Sequence, residues 1–297
     1  MDPRCSLLRA SAASLKNTIS DKPYEDDLRY DCQLGIFCVA DGVTRSRDAE
    51  GRYPCPSPAV TAAKIVTEEA IGQFQRAYIG SSWQAAMISI ANGFAAANRR
   101  IARFAATLPQ PDFLSNDLPA AVATIVCVVG LRAVYGHIGD TGLLHIGGDR
   151  TATRLTRNQT AGVDSWASRN KEINQDVRLV MVRKKFRNSC GLPQSFGALT
   201  GQPSALQWID YGSAVISPGD MLLLFSDGLS GVFEEGWNDV GTRRRVVDLL
   251  ETQQLDKILS LAERHDLSRQ AVSDDKTLIS IKLPRRLHRI EMATALE

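Results

Sequence analysis

The stretch Ala121–Leu155, AVATIVCVVGLRAVYGHIGDTGLLHIGGDRTATRL, decides the fold class. Short apolar runs, Ala121–Val129 and Val134–Ile138 among them, alternate with Gly130, Gly139, Gly142, Gly147 and Gly148. Runs of this length, rich in β-branched residues, read as buried strands, and the glycines read as turns between them. No crossover helix fits between consecutive runs, because a parallel return needs about a dozen residues or more. These strands therefore pair antiparallel, as a meander.

Working outward, Leu34–Ala40 and Met221–Phe225 read as further buried strands, with the less pure Thr277–Leu283 as the last one. Two amphipathic helices follow the first strand. Ser57-Pro58 supplies an N-cap with Pro at N1, and apolar residues recur with helical spacing from Val60 to Phe74, as far as about Tyr78. The second helix starts at Ser81-Ser82 and runs through Met87, Ile90, Phe94, Ala97, Ile101 and Phe104. Residues 157–203 are polar and irregular and hold Arg178, Arg183, Lys184, Lys185 and Arg187; a stretch too long for a simple connector is expected to be a functional flap or a mobile insertion. Ala205–Asp210 and Ala214–Ile216 resume strand texture, and Arg243–Leu250 and Leu255–Ala262 read as helices. Strands and helices are partly segregated, so the expected class is α+β: a four-layer α-β-β-α sandwich of two packed antiparallel sheets flanked by helices. One domain is expected over 1–284, followed by a tail at 285–297.

The chain has 297 residues, 44% hydrophobic and 23% charged, enough to bury a substantial core. Its 35 Lys and Arg against 33 Asp and Glu leave a formal charge of +2, too little for whole-surface attraction to nucleic acid or anionic lipid. The six cysteines form no C-x-x-C pair, which argues against a zinc ribbon or a disulfide framework, and Cys38 and Cys127 lie in apolar runs as core thiols. Arg9 and the serines near the N-terminus break any apolar leader, and no run approaches the ~18 to 20 apolar residues that span a bilayer. The expectation is a soluble, cytoplasmic monomer without nucleic-acid or membrane partners. His137 and His145 are expected to be packed or surface histidines, and Arg243–Arg245 a solvated start to a helix.

The chemistry lies in acids placed at strand ends. Leu34–Ala40 ends in Asp41-Gly42, Met221–Phe225 leads to Ser226-Asp227-Gly228, and Asp140 follows the strand ending at Ile138. Asp274-Asp275 precedes the last strand, and Glu25-Asp26-Asp27 precedes the first. A carboxylate leaving water needs a cation or hydrogen bonds, and several on one rim repel unless metal ions lie between them. Hard oxygen donors without a Cys or His set suit Mg²⁺ or Mn²⁺ rather than zinc.

In order, PYEDDLRYD, FCVADGVTRS, GHIGDTGLL, LLFSDGLSGVF and SDDKTLISI resemble the successive motifs of the metal-dependent Ser/Thr protein phosphatases, the PPM or type 2C family, from about residue 14 to 283. The resemblance implies the same two-sheet fold. It also implies hydrolysis of phosphoserine and phosphothreonine by a hydroxide bridging two divalent metals, Mn²⁺ or Mg²⁺. Carried over, Asp41 bridges both ions, the Gly42 carbonyl binds the second, and Asp227 and Asp274 complete the first site. Glu25 and Asp26 fall on the acidic pair near the second ion, and Asp140 on the acid of a third, weaker ion in some members. The implied partners are a phosphorylated protein substrate and a cognate kinase.

Four positions depart from that pattern. Val43, Thr44 and Arg45 follow Asp41-Gly42 where members often carry His or Met and then Gly-Gly, and Val43 cannot donate a proton. Lys22 stands near where many members place a phosphate-gripping Arg, which leaves Lys22 and Arg45 as candidate phosphate-binding cations. Gly231 replaces a further Asp and argues against a third ion, and Asp275 replaces Asn, either as a ligand or as an acceptor of backbone hydrogen bonds. The competing readings are a weak or inactive phosphatase-fold protein that binds phosphoproteins, and a phosphatase of a non-protein phosphate ester.

Overall fold

A strand whose two faces are both covered must be apolar at every position, and the side to which each residue points then alternates along the chain. The computed structural model, which describes residues 8–18, 21–43, 47, 50, 52–77, 82–269 and 274–284, follows this rule. In β3 (Ile36–Gly42), Ile36, Cys38 and Ala40 pack on helices, whereas Phe37 and Val39 pack against a second sheet. In β9 (Met221–Phe225), Met221, Leu223 and Phe225 pack outward, while Leu222 and Leu224 meet Phe37 and Val39 in the inter-sheet core.

One sheet has the order β2 (Asp27–Asp31), β3, β4 (Ala121–Val129), β5 (Arg132–Ile138) and β8 (Asp210–Val215). The other has β1 (Arg9–Leu15), β10 (Lys276–Lys282), β9, β6 (Gly142–Ile146) and β7 (Ala152–Arg154). Every pairing is antiparallel. Helices α1 (Pro58–Ala77) and α2 (Trp83–Ala105) cover the first sheet through Val66, Phe74, Ile90, Phe94 and Ile101. On the second sheet lie two later helices, Val240–Glu251 and Leu255–Arg269, which contribute Val246, Val247, Leu250, Ile258 and Leu259. The four-layer sandwich is therefore observed.

Several boundaries differ from the sequence reading. RASAASL forms edge strand β1, paired with β10 from Arg9↔Lys282 to Leu15↔Lys276; its small residues gave no apolar run to read. The acidic Glu25-Asp26 pair precedes β2, a strand of alternating polar and apolar residues, rather than β3 directly. Pro203–Trp208 is a 3₁₀ turn and not a strand. Asp239 caps the Val240–Glu251 helix by accepting from the Thr242 N–H, so Arg243–Arg245 fall beyond the first turn rather than opening the helix.

Residues 157–203 are irregular only in part. They form α3 (Ala161–Arg169), α4 (Gln175–Val180), a π-helical turn at Met181–Phe186 and a small core of Val163, Phe186 and Phe196. The two remaining helices are thus α5 (Val240–Glu251) and α6 (Leu255–Arg269). Arg187 makes a bidentate pair with Asp117, at 2.6 and 2.9 Å, and Arg183 Nε lies 3.2 Å from the same carboxylate. These two arginines moor the segment rather than lend it an open positive surface. Asp117→Ala leaves the almost fully buried Arg187 without its carboxylate. The expected result is a loss of about 3–5 kcal/mol in denaturant unfolding, with new protease cleavage inside 157–203. A variant as stable and as resistant as the parent refutes the mooring role.

Candidate metal centre

The same alternation that builds the inter-sheet core delivers polar groups to one end of it. Asp41 continues the Phe37–Val39 face of β3, and Asp275 and Thr277 continue the Ile279–Ile281 face of β10. Asp26 precedes Leu28 by two residues, and Ser226 follows Leu224 by two. Asp227 opens the turn after β9. Gly228 is required there, because a Cβ would lie 2.1 Å from the Asp275 carbonyl oxygen and 3.2 Å from that of Asp274. Close approach of the two acidic loops therefore depends on a residue without a side chain.

Asp26, Asp41, Asp140, Asp227 and Asp274 are electrostatic neighbours. Burial and then the charges of Asp26, Asp227, Asp274 and Asp140 push the Asp41 carboxyl well above the usual range. Asp227 is raised likewise, by burial and then by Asp140, Asp274 and Asp26. Asp26 is pushed up to about 7, chiefly by burial, against hydroxyl hydrogen bonds from Thr277 and Ser226. Asp140 rises to about 6, again chiefly by burial. Within this group Asp26 Oδ2 and Asp227 Oδ1 are buried without a hydrogen-bond partner. Buried carboxylate oxygens without donors are what a hard cation would satisfy, so the donor set fits Mg²⁺ or Mn²⁺. The fit is one of neighbourhood and not of a closed cage: among the described residues, no three His, Cys, Asp or Glu side chains already converge in metal-binding geometry.

Glu25 and Asp275 build the frame. Glu25 Oε1 accepts from Tyr53 (2.6 Å) and Ser57 (2.5 Å), tying the start of α1 to the site. Its backbone N–H donates to Asp275 Oδ2 at 2.8 Å, and its carbonyl accepts from Gly42 N–H at 3.2 Å. Asp275 Oδ1 accepts the Asn17 N–H at 2.8 Å, so both oxygens of this buried carboxylate are engaged by backbone donors. Of the two roles open to Asp275, this geometry matches the acceptor of backbone bonds. Lys276, fully buried, pairs with Glu263 and Asp266 of α6 and donates to the Asp274 carbonyl at 3.0 Å. The sequence reading passed over Lys276, Tyr53 and Ser57 as site supports. For Lys276 a signal existed: a lysine opening an apolar strand, with two acids, Glu263 and Asp266, in the helical pattern before it.

Lys22 lies among the acids, with Nζ 2.6 Å from Asp274 Oδ1 and 3.9 Å from Glu25 Oε2. Burial works against its charge, but Asp274, Asp275 and Glu25 outweigh that and hold the ammonium above the ordinary lysine range. Arg45, the other phosphate-binding candidate, and the tail at 285–297 lie outside the described residues. Val43 packs on Ala120, Val122 and Ala198. A side chain at Gly231 would meet His265 Nδ1 at 2.7 Å, so the helix α6 occupies the space an Asp there would need.

Solved structures share this architecture. The Mycobacterium tuberculosis serine/threonine phosphatase PstP/Ppp superposes with a TM-score of 0.63 at 18% identity, over 94% of this chain and 99% of that one. PppA of Pseudomonas aeruginosa, a key regulatory component of its T6SS, gives 0.62 at 17% identity, over 93% and 98%. The chain has the PPM phosphatase fold. A further PPM-fold structure, the PstP catalytic domain in complex with two manganese ions, matches at 0.61 and 19% identity over 94% of this chain and 99% of that one. No protein-family model and no curated protein matches the sequence. No helix among the described residues is long and apolar enough to cross a membrane.

Within the PPM fold, the Asp140 turn hangs on His137, which is packed as expected. Nε2 lies 3.1 Å from the Gly139 carbonyl and 2.9 Å from that of Arg157, so Nε2 carries the hydrogen, and Nδ1 accepts from Thr124 Oγ1 at 2.9 Å. His145 is likewise structural, bonding Asp220 at 2.7 Å. Burial lowers His137 to about 4 from 6.5. A neutral histidine in the folded state contributes stability that is complete above pH 6.5 and is lost as pH falls towards 4. Between pH 7.5 and pH 5.0 the raised carboxyls gain stability by taking up protons, so the histidine is read as a difference: urea unfolding is expected to place the wild type about 2 kcal/mol lower relative to His137→Gln at pH 5.0 than at pH 7.5. An identical pH dependence in both proteins contradicts this assignment.

Proposed function

We propose that this chain is a Mn²⁺- or Mg²⁺-dependent protein phosphatase acting on phosphoserine and phosphothreonine. The observation that carries the reading is the gathering of Asp26, Asp41, Asp140 and Asp227 at one end of the inter-sheet core, two of them with partnerless buried oxygens. Asp41, Asp227 and Asp274 would hold the ions, with the Gly42 carbonyl, Glu25 and Asp26 on one side and Asp140 on the other. A bound pair of divalent ions supplies Lewis-acid stabilisation of phosphoryl charge and a nucleophile at neutral pH.

The chain's own residues do the positioning. Asp275 locks the segments at Asn17 and Glu25 to the Asp274 loop, and Lys276 braces that loop from behind. Tyr24 bonds Thr277, whose hydroxyl faces Asp26, so the second acidic strand end is tied to β10. Val43 offers no proton, and the leaving seryl or threonyl oxygen draws on solvent or on a group outside the described residues. Lys22, held at Asp274, is the described cation placed to meet a phosphoryl oxygen. A phosphorylated protein is the proposed substrate, a reading supported by the likeness in fold to solved serine/threonine phosphatases.

Mn²⁺-dependent hydrolysis of a phosphopeptide and of p-nitrophenyl phosphate is expected, with Asp41→Ala and Asp227→Ala lower by about a hundredfold or more. The metal-free Asp227→Ala protein should unfold at no lower temperature than the parent, because it removes a self-repelling buried charge. Turnover that is equal in the variants and indifferent to EDTA defeats the proposal. A second reading, phosphoprotein binding with little turnover, is favoured by the engagement of Asp274 by Lys22; phosphopeptide binding in calorimetry without product release would select it.

A further inference from the structure

Lys22 differs from the other supports of the site in being a cation directly on a proposed ligand. Its Nζ is 2.6 Å from Asp274 Oδ1, and that same oxygen accepts the Asp275 N–H at 2.7 Å. The Lys22 side chain is only 9% exposed, whereas that of Asp274 is 37% exposed, so the ammonium comes at the carboxylate from within the protein. The backbone that carries it is moored on both flanks to one residue: Asn17 N–H and Glu25 N–H donate to the two oxygens of Asp275. A cation on so short and doubly anchored a segment has a high effective concentration at Asp274.

We propose that Lys22 is a tethered counter-ion that competes with a divalent metal ion for Asp274, so that metal binding to this chain is an exchange of the ammonium for the ion. The inference rests on the two-ion reading above and goes beyond it by naming the residue that sets metal affinity. Two cations a few ångström apart repel, and the interaction is stronger in a partly buried site than in water. Lys22 therefore favours the metal-free protein by offsetting the mutual repulsion of the acids, and disfavours the loaded one. By linkage, a group that stabilises only the metal-free form lowers the apparent affinity for metal. When the ion is seated, the displaced ammonium lies beside the site with its charge available to a phosphoryl oxygen.

Lys22→Met keeps the buried stem and removes the charge, and Lys22→Gln is a second variant should the first fold poorly. Mn²⁺ titration by calorimetry on the full chain is expected to show about tenfold tighter binding in either variant than in the wild type. The metal-free variants should melt below the wild type, and saturating Mn²⁺ should narrow that difference. Lys22→Arg, which keeps the charge, should stay near the wild type in affinity. Wild-type binding with equal or weaker binding by both neutral variants overturns the competition and leaves the two-ion reading standing. Absence of Mn²⁺ binding in all of the proteins overturns the two-ion reading itself, and the role of Lys22 with it.

Discussion

The constraint on which everything else depends is the layer between the two sheets. Each strand sends alternate residues into it, and along β3, β4, β5 and β10 apolar contributions give way to polar ones in the same direction, with Val122 of β4 returning to apolar opposite Asp41. On β3 the series is Phe37, Val39, Asp41; on β4, Val128, Val126, Thr124; on β5, Ala133, Tyr135, His137. On β10 it is Ile281, Ile279, Thr277, and then Asp275 beyond the strand. Antiparallel register aligns these changes, so one end of a single layer is hydrocarbon and the other is a field of hydroxyls, carboxylates and one neutral imidazole. The apolar end supplies the burial that holds the sheets face to face. The polar end inherits its rigidity, because a shift of one residue in any strand would turn its whole set of side chains to the other face.

Carboxylates at the closed end of such a layer are costly unless something offsets their charge. The molecule treats them in two ways. Asp275 is fully engaged: two backbone N–H groups saturate its oxygens, and it serves as a strut. Asp26 and Asp227 each keep a buried oxygen without a donor, and their carboxyls are held above the usual range. Acids of the first kind stabilise the fold, whereas acids of the second kind store unfavourable electrostatics that a bound proton or a metal cation relieves. Asp274, the sequence neighbour of Asp275, belongs to neither kind: it is partly exposed, and its Oδ1 accepts from Lys22 and from the Asp275 N–H.

Much of this was legible in the sequence. The apolar runs at 34–40, 121–129 and 221–225 gave the core strands because both faces are covered, and Asp41 and Asp227, after the first and last of them, located the rim. β1 was invisible, because an edge strand of Ala and Ser carries no hydrophobic signal, and pairing with β10 is a long-range choice that local pattern does not encode. The helices inside 157–203 were missed because they are short and pack on a small local core, so their periodicity spans too few residues. The partition of Asp274 from Asp275, and the role of Lys276, depend on which face of one strand meets α6, which is a tertiary fact.

The near-balance of charge carries the same lesson in another form. A formal charge of +2 reads as electrostatic neutrality, yet two of the basic residues of 157–203 are not surface charge: Arg183 and Arg187 are consumed by Asp117, whereas Lys184 and Lys185 stay exposed. Lys276 is consumed by Glu263 and Asp266, and Lys22 by Asp274. The buried cations therefore have carboxylate partners within the fold. The acids of the strand-end cluster outnumber theirs: Asp26, Asp41, Asp140, Asp227 and Asp274 face one another with Lys22 as a cation among them. A phosphate dianion would be repelled by that cluster as it stands. Attraction requires added positive charge of at least the same order as the excess, which two divalent ions supply and a rearranged lysine alone does not.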